Sequence, residues 1–210
     1  MSNFSKAIYR YRGFIPAALA IALLITPATP IPYRTPDDHD ITVIVALLLF
    51  LQGAALRIRT RQFIGDHTRG SVHQADTLVT WGPYAYVRHP LYVSNILVSI
   101  SIVFFHLGPR PALIPFCVIV IAFEWALSII EDRFLHKKFG KDWETWAKDV
   151  EALNFGARLF LRKGTKRLKA DSRSKKPVRT IWQSFWADRS TWAWLMFYNL
   201  LLVLKRIYLT

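Results

Sequence analysis

The sequence predicts an all-α membrane protein built around a core of four membrane-spanning helices. Of its 210 residues, 52% are apolar, and the net charge of +14 is unusual for so hydrophobic a soluble domain. A disordered basic chain would lack the abundant Leu, Ile, Val and Phe, so that class is excluded. A helix needs about 20 apolar residues to cross the hydrocarbon core of a bilayer, which leaves room for four or five spans.

Four apolar stretches, separated by short polar or proline-rich breaks, are predicted to be these spans: 14–33, 41–56, 91–107 and 111–130. Prolines interrupt the first stretch and a second follows closely, which indicates a kinked span that is retained rather than a cleaved leader. Gly108, Pro109 and Pro111 predict a tight hairpin between the third and fourth spans.

Composition divides the chain into a core, residues 1–156, and a C-terminal part, residues 157–210. The latter begins with a linker dominated by Lys, Arg and Ser, which is typical of a flexible segment along a membrane surface. An aromatic-rich helix follows, and Trp side chains favour the headgroup level. Whether 191–204 lies at the interface or crosses as a fifth span stays open, since crossing would translocate Lys205 and Arg206.

Lys and Arg are unevenly distributed among the loops, and short cytoplasmic loops carry the excess of these residues. They are frequent between 57 and 90 and between 131 and 190, whereas Arg34 and Arg110 alone lie in the opposite loops. Both basic regions are therefore expected on the cytoplasmic side, attracted to anionic lipids. No nucleic-acid partner is expected, because no nucleic-acid-binding fold accompanies the charge. The single cysteine, Cys117, and scattered histidines predict no metal site.

The segment WGPYAYVRHPLYVS, residues 81–94, stands at the start of the third span. Pro90 is expected to be the first helical residue, with His89 just outside the helix. Free backbone amides there, beside Arg88 and His89, would suit a carboxylate or a phosphate. The alternative is that this Arg-His pair only anchors the span among lipid headgroups.

Glu131 and Asp132 are expected to face Arg88 and His89, because two spans of roughly 27 to 30 Å return the chain to its starting height. At the C-terminal end of the fourth span, the helix dipole would disfavour these acids unless they held a cation. One ligand with the carboxylate and ammonium groups of an amino acid would satisfy both sides. The alternative is a direct Arg-carboxylate pair that closes the hairpin.

Glu124 lies inside the fourth span, seven residues before Glu131. Acidic residues within a membrane are costly and mark candidate functional positions. Glu124 is expected either to line an acceptor pocket or to form a hydrogen bond to a neighbouring span through Asn95, Ser99 or Ser101. Both interpretations remain open.

Two segments, GPYAYVRHPLY and EDRFLHKKFGKDWETW, together resemble the isoprenylcysteine carboxyl methyltransferase and phospholipid methyltransferase family of membrane enzymes. The positions that match the family pattern are Arg88, His89, Pro90, Tyr92, Glu131, Leu135, Phe139 and Gly140. Where the family has a glycine, a second glutamate and two tyrosines, this chain has Ser94, Asp132, Trp143 and Trp146. The Pro-containing ending of the family is also replaced by the basic C-terminal part.

The resemblance implies a methyltransferase that binds S-adenosylmethionine at the cytoplasmic ends of the third and fourth spans. It implies catalytic roles for Arg88 and Glu131, and cofactor contacts from Tyr84, His89, Pro90, Tyr92, Glu131 and Asp132. A lipid-embedded acceptor is expected near Arg88 and Glu124, with O-methylation of a carboxylate favoured over N-methylation of an amine. The competing classes are a non-enzymatic basic membrane protein that binds anionic lipid or a partner, and a sterol-type reductase using NADPH.

Overall fold

The structure is a computed structural model that describes residues 13–27, 36–64, 76–153 and 175–208. A short 3₁₀ helix, Gly82–Ala85, precedes the third of its α-helices. The α-helices of the described residues are α1 Phe14–Ile25, α2 Pro36–Arg61, α3 Pro90–Leu107, α4 Leu113–Phe139, α5 Lys141–Asp149, α6 Ile181–Ala187 and α7 Arg189–Tyr208. The prediction of an all-helical chain is confirmed for this part of the sequence.

Among the described residues, three helices are long and apolar enough to cross a membrane: α2 from Ile41 onward, α3 and α4. By contrast, α1 has 12 residues, which reach about 18 Å and fall short of a hydrocarbon core of about 30 Å. The rest of the predicted first span, 28–33, lies outside the described residues, as does the basic linker up to residue 174. The second, third and fourth predicted spans are thus present as candidate membrane helices, whereas the four-span core stays a prediction.

Two spans extend further than the hydropathy pattern predicted. Helix α2 continues to Arg61 instead of ending at residue 56, and α4 continues to Phe139 instead of ending at residue 130. The chain leaves α4 at Gly140, whose φ of +52° suits a residue without a Cβ. Glu131 and Asp132 therefore lie about two turns before the end of α4, and the expectation that they stand at a helix C-terminus is wrong.

Helices α2 and α3 are antiparallel and approach each other closely at Gly53. A Cβ at this position would lie only 2.8 Å from Cγ2 of Val98 and 3.1 Å from the carbonyl oxygen of Ser94. The hydroxyl of Ser94 donates to the carbonyl oxygen of Gly53 at 2.9 Å. The close helix contact that a glycine at position 94 would permit is therefore provided by a glycine on the opposite helix.

The C-terminal segment, residues 175–208, is fastened to α2 through a buried carboxylate. Asp188, between α6 and α7, accepts hydrogen bonds from Nε of Arg57 at 2.8 Å and Nε of Arg61 at 2.9 Å. Nη2 of Arg61 lies 2.8 Å from the second carboxylate oxygen. The backbone N–H of Val178 also donates to the carbonyl oxygen of Gln62 at 2.7 Å. The predicted division at residue 156 stays a prediction, but the two parts pack together.

We predict that Asp188→Asn destabilises the protein, because two buried guanidinium groups would lose their common counter-charge. Removal of one partner from a buried ion pair typically costs about 3 to 5 kcal/mol. The thermal unfolding midpoint in detergent should therefore fall clearly below that of the wild type. Asp142→Asn, at an exposed position of α5, is the matched control and should change the midpoint little. Equal midpoints for the two variants would contradict this account.

Candidate functional site

His89 caps the N-terminus of α3 and Pro90 is its first residue, as the sequence predicted. The backbone N–H groups of Arg88 and His89 donate to the carbonyl oxygens of Glu151 and Ala152, at 2.8 and 3.2 Å. The amides of Arg88 and His89 themselves are thus used within the protein, whereas the free amides predicted beside them at the start of α3 stay a prediction. Both amides are used to pair the chain before α3 with the chain that follows α5.

The guanidinium group of Arg88 holds three parts of the site together. Nε and Nη2 donate to the two carboxylate oxygens of Asp132, at 3.3 and 2.8 Å. Nη1 donates to the carbonyl oxygens of Ala147 and Val150 at the end of α5, at 3.1 and 2.6 Å. Four of the five N–H groups of a guanidinium are thus engaged. The Arg-carboxylate pair that sequence analysis gave as the alternative is present.

His89 lies between the two acids of α4. Its Nε2 is 2.9 Å from Oδ1 of Asp132, and its Nδ1 is 3.7 Å from Oε2 of Glu131. The ring stacks on Tyr92, with centroids 5.4 Å apart. Burial lowers the pKa of His89, but hydrogen bonds and charge interactions with Asp132 and Glu131 outweigh that effect and raise it to about 9. The imidazole is therefore protonated at neutral pH.

Glu131 is the more accessible of the two acids. Its side chain is 32% exposed, compared with 15% for Asp132. Asp132 accepts from both Arg88 and His89, so its oxygens are largely used inside the protein. A carboxylate with remaining surface can accept a cationic group from a ligand, and Glu131 is the acid of this cluster that meets this condition.

Tyr84 and α5 lie beside the ion cluster, which consists of Arg88, His89, Glu131 and Asp132. Burial, followed by the negative charge of Glu131, raises the pKa of the Tyr84 hydroxyl well above its ordinary value, so the hydroxyl stays protonated. Nε1 of Trp146 donates to the carbonyl oxygen of Tyr84 at 3.0 Å and holds α5 against the segment that contains Tyr84. These contacts explain why Trp146 is buried.

Trp143 is a site residue that sequence analysis did not single out for binding. Its ring faces the guanidinium carbon of Arg88, 5.6 Å from the ring centroid. Its Nε1 atom is buried and has no hydrogen-bond partner within the described part of the chain. A buried donor without an acceptor is unusual, so this N–H is expected to have an acceptor outside the described residues. The only signal in the sequence was its position, where the family pattern has a tyrosine.

Glu124 lies about 10 Å along α4 from Glu131, nearer the middle of this candidate membrane helix, and forms a second, deeper layer of the site. It is only 6% exposed, and its Oε1 accepts from Nδ2 of Asn95 at 3.1 Å. Its Oε2 is buried and has no partner among the described residues. The predicted hydrogen bond to a neighbouring helix is therefore present, and the other oxygen remains available for a ligand.

A chain of polar contacts connects this layer with the C-terminal segment. Nη1 of Arg57 donates to Oδ1 of Asn95 at 2.7 Å, while Nε of the same side chain donates to Asp188. Arg57 thereby joins Asp188 to Asn95 and, through Asn95, to Glu124. The structure brings Arg88, His89, Tyr92, Glu131 and Asp132 together near the start of α3 and leaves Glu124 apart. The binding roles of these residues stay predictions.

Residues 41–142 match a family model described as phospholipid methyltransferase. The match covers the three candidate membrane helices, and both Arg88-His89 and Glu131-Asp132 fall within it. No curated protein and no solved structure matches the chain. The C-terminal segment, which contributes Asp188, lies outside the matched residues.

The raised pKa of His89 predicts that stability falls as the pH rises. A group whose pKa increases on folding, here from 6.5 to about 9, contributes stability that is complete below pH 6.5 and is lost through about pH 9. The gap in unfolding midpoint between the wild type and His89→Gln should therefore be widest near about pH 6 and shrink by about pH 9.5. His136→Gln, at a half-exposed side chain, should retain the pH dependence of the wild type. A gap that is constant with pH would show that His89 is not charged.

Proposed function

We propose, from the similarity of residues 41–142 to phospholipid methyltransferases, that this membrane methyltransferase uses S-adenosylmethionine and a lipid-embedded acceptor. The observation that carries the proposal is the ion cluster of Arg88, His89, Glu131 and Asp132, which lies within the matched segment beside a buried donor without a partner. The distribution of Lys and Arg supports a cytoplasmic location for this cluster and an association with anionic lipids.

The residues of the cluster fit the amino-acid end of this cofactor. Glu131 has exposed carboxylate surface for an ammonium group, and the buried N–H of Trp143 needs an oxygen acceptor such as a carboxylate or hydroxyl. The positively charged His89 lies 3.7 Å from Glu131. When bound, S-adenosylmethionine supplies an electrophilic methyl group on a sulfonium.

Arg88 is better suited to positioning than to contact with an acceptor. Its four hydrogen bonds fix Asp132 and the end of α5. Through these contacts Arg88 holds α5, which carries Trp143, against α4, which carries Glu131. Alignment of the reacting groups is the main contribution that a methyltransferase makes to a displacement reaction. Because Arg88 holds α4 and α5 in place, it contributes to this alignment without touching the substrate.

Glu124 is the residue that we assign to the acceptor. A buried carboxylate oxygen without a partner suits an N–H or O–H donor, whereas a carboxylate acceptor would bring two negative charges together. An ammonium must also lose a proton before it can attack the methyl group, and Oε2 of Glu124 is available to receive one. We therefore favour N-methylation of an amine over the O-methylation of a carboxylate that was expected from the sequence.

The first test of this proposal is cofactor binding. Calorimetry in detergent should detect binding of S-adenosylmethionine and of its demethylated product, but no binding of NADPH. Glu131→Gln should weaken binding at least tenfold, because the loss of one charge-assisted contact costs about 1.5 to 3 kcal/mol. Glu144→Gln, at a half-exposed carboxylate that contacts His136, is the control and should bind like the wild type. If the wild type does not bind S-adenosylmethionine, the proposed function is wrong.

The second test separates the acceptor from the cofactor. Transfer of labelled methyl groups would be measured to a lipid with an amine headgroup and to a prenylated cysteine with a free carboxylate. Glu124→Gln should raise the KM for the amine lipid at least tenfold and leave cofactor affinity within about twofold, because Glu124 lies about 10 Å from Glu131. Faster transfer to the carboxylate acceptor by the wild type would instead support O-methylation.

A further inference from the structure

The two ends of α7 contact opposite ends of the helix bundle. Asp188, just before α7, binds Arg57, which in turn binds Asn95 near the start of α3. At the other end of α7, Nζ of Lys205 donates to the carbonyl oxygen of Thr26 and lies 3.4 Å from Nε2 of His106, in the last turn of α3. The path from residue 188 to residue 205 is about 25 Å for an α-helix, so α7 runs along the bundle instead of across one end.

The inner face of α7 is part of the protein core. Leu202 is fully buried in one apolar cluster with Leu23 of α1 and with Ile102 and Leu107 of α3. Near the middle of the helix, the hydroxyl of Tyr198 donates to the carbonyl oxygen of Ala20 at 2.7 Å. Since α3 is one of the candidate membrane helices, a helix packed along it lies at the same depth in the bilayer.

The outer face of α7 is apolar and uncovered by the described protein. Trp194 and Met196 are 70% and 76% exposed. Further exposed side chains on this helix are Phe197, Leu200, Val203, Leu204 and Ile207. A continuous apolar surface beside membrane-spanning helices has one suitable partner at that depth, which is the acyl chains of lipids.

Three polar side chains of α7, Tyr198, Asn199 and Lys205, have hydrogen-bond partners within the protein. Nδ2 of Asn199 donates to the carbonyl oxygen of Leu195 at 2.8 Å, and the hydroxyl of Tyr198 is used as described above. Lys205 donates to carbonyl oxygens at the C-terminal end of α1, where the helix dipole favours a cation. Within hydrocarbon such internal bonds are required, because water cannot replace them.

We infer that α7 crosses the membrane beside α1 and α3, with its outer face against lipid acyl chains and its C-terminal end on the membrane side opposite His89. Hydropathy alone does not place α7 among the three candidate spans of the described residues. The charge rule opposes translocation of Lys205, but the carbonyl oxygens at the end of α1 stabilise this lysine where it lies. The inference does not depend on the proposed methyl transfer.

The test uses single cysteines in the full chain, with Cys117 replaced by Ser. Tyr208→Cys and Ile207→Cys report on the end of α7, and Asp142→Cys on α5 reports on the side of the site; all three positions are exposed. A membrane-impermeant maleimide would be applied to right-side-out and inside-out vesicles from expressing cells. We expect the α7 cysteines to be labelled in one type of vesicle and Cys at position 142 in the other. Labelling of all three in the same type would overturn the inference.

A second measurement distinguishes a crossing helix from one that lies in water. Met196→Cys should resist the maleimide in both types of vesicle, although its side chain is 76% exposed on the protein, because lipid would cover it. Denaturation in SDS should make it fully reactive, which controls for expression and for the thiol itself. Rapid labelling of Met196→Cys in intact vesicles would exclude contact with acyl chains and overturn the inference.

Discussion

The carboxylate of Asp132 is the contact on which the arrangement of the site depends. It receives Arg88 and His89 together, and these two residues hold the start of α3 against α4 and, through the carbonyl oxygens of Ala147 and Val150, against α5. Charges removed from water must be paired and hydrogen-bonded, or their burial is too costly. The cluster meets this demand with two acids for two cations: Asp132 accepts from both Arg88 and His89, and Glu131 lies 3.7 Å from His89. The side chain of Glu131 is still 32% exposed.

Asp188 forms a similar cluster of charges where the C-terminal segment contacts α2. One acid again pairs with two cationic side chains, here Arg57 and Arg61, and this acid is buried. The consequence is that a segment outside the family match becomes part of the polar chain that ends at Glu124. Arg57 contacts Asn95 and Asp188 at the same time, so its side chain links the C-terminal segment to α2 and α3.

Two buried atoms have no hydrogen-bond partner among the described residues, Nε1 of Trp143 and Oε2 of Glu124. By contrast, the carboxylates of Asp132 and Asp188 each accept hydrogen bonds from two cationic side chains. An unpaired buried polar atom costs free energy, so each of the two atoms is expected to have a partner outside the described residues. One lies beside Arg88 and the other beside Asn95, and the proposed cofactor and acceptor would supply these partners.

By itself, the sequence determined the apolar helices, the start of α3 at Pro90, and the meeting of Arg88 and His89 with Glu131 and Asp132. These follow from local rules, since hydropathy sets span length and proline sets a helix start. Only the tertiary structure decided that α4 continues past the acids, that Arg88 is occupied by Asp132, and that Trp143 has no acceptor among the residues described. It also decided where α7 lies, because the partners of Asp188 and Lys205 are more than 75 residues away in the chain. Which donor meets which acceptor depends on packing between helices, and no local pattern in the sequence encodes that.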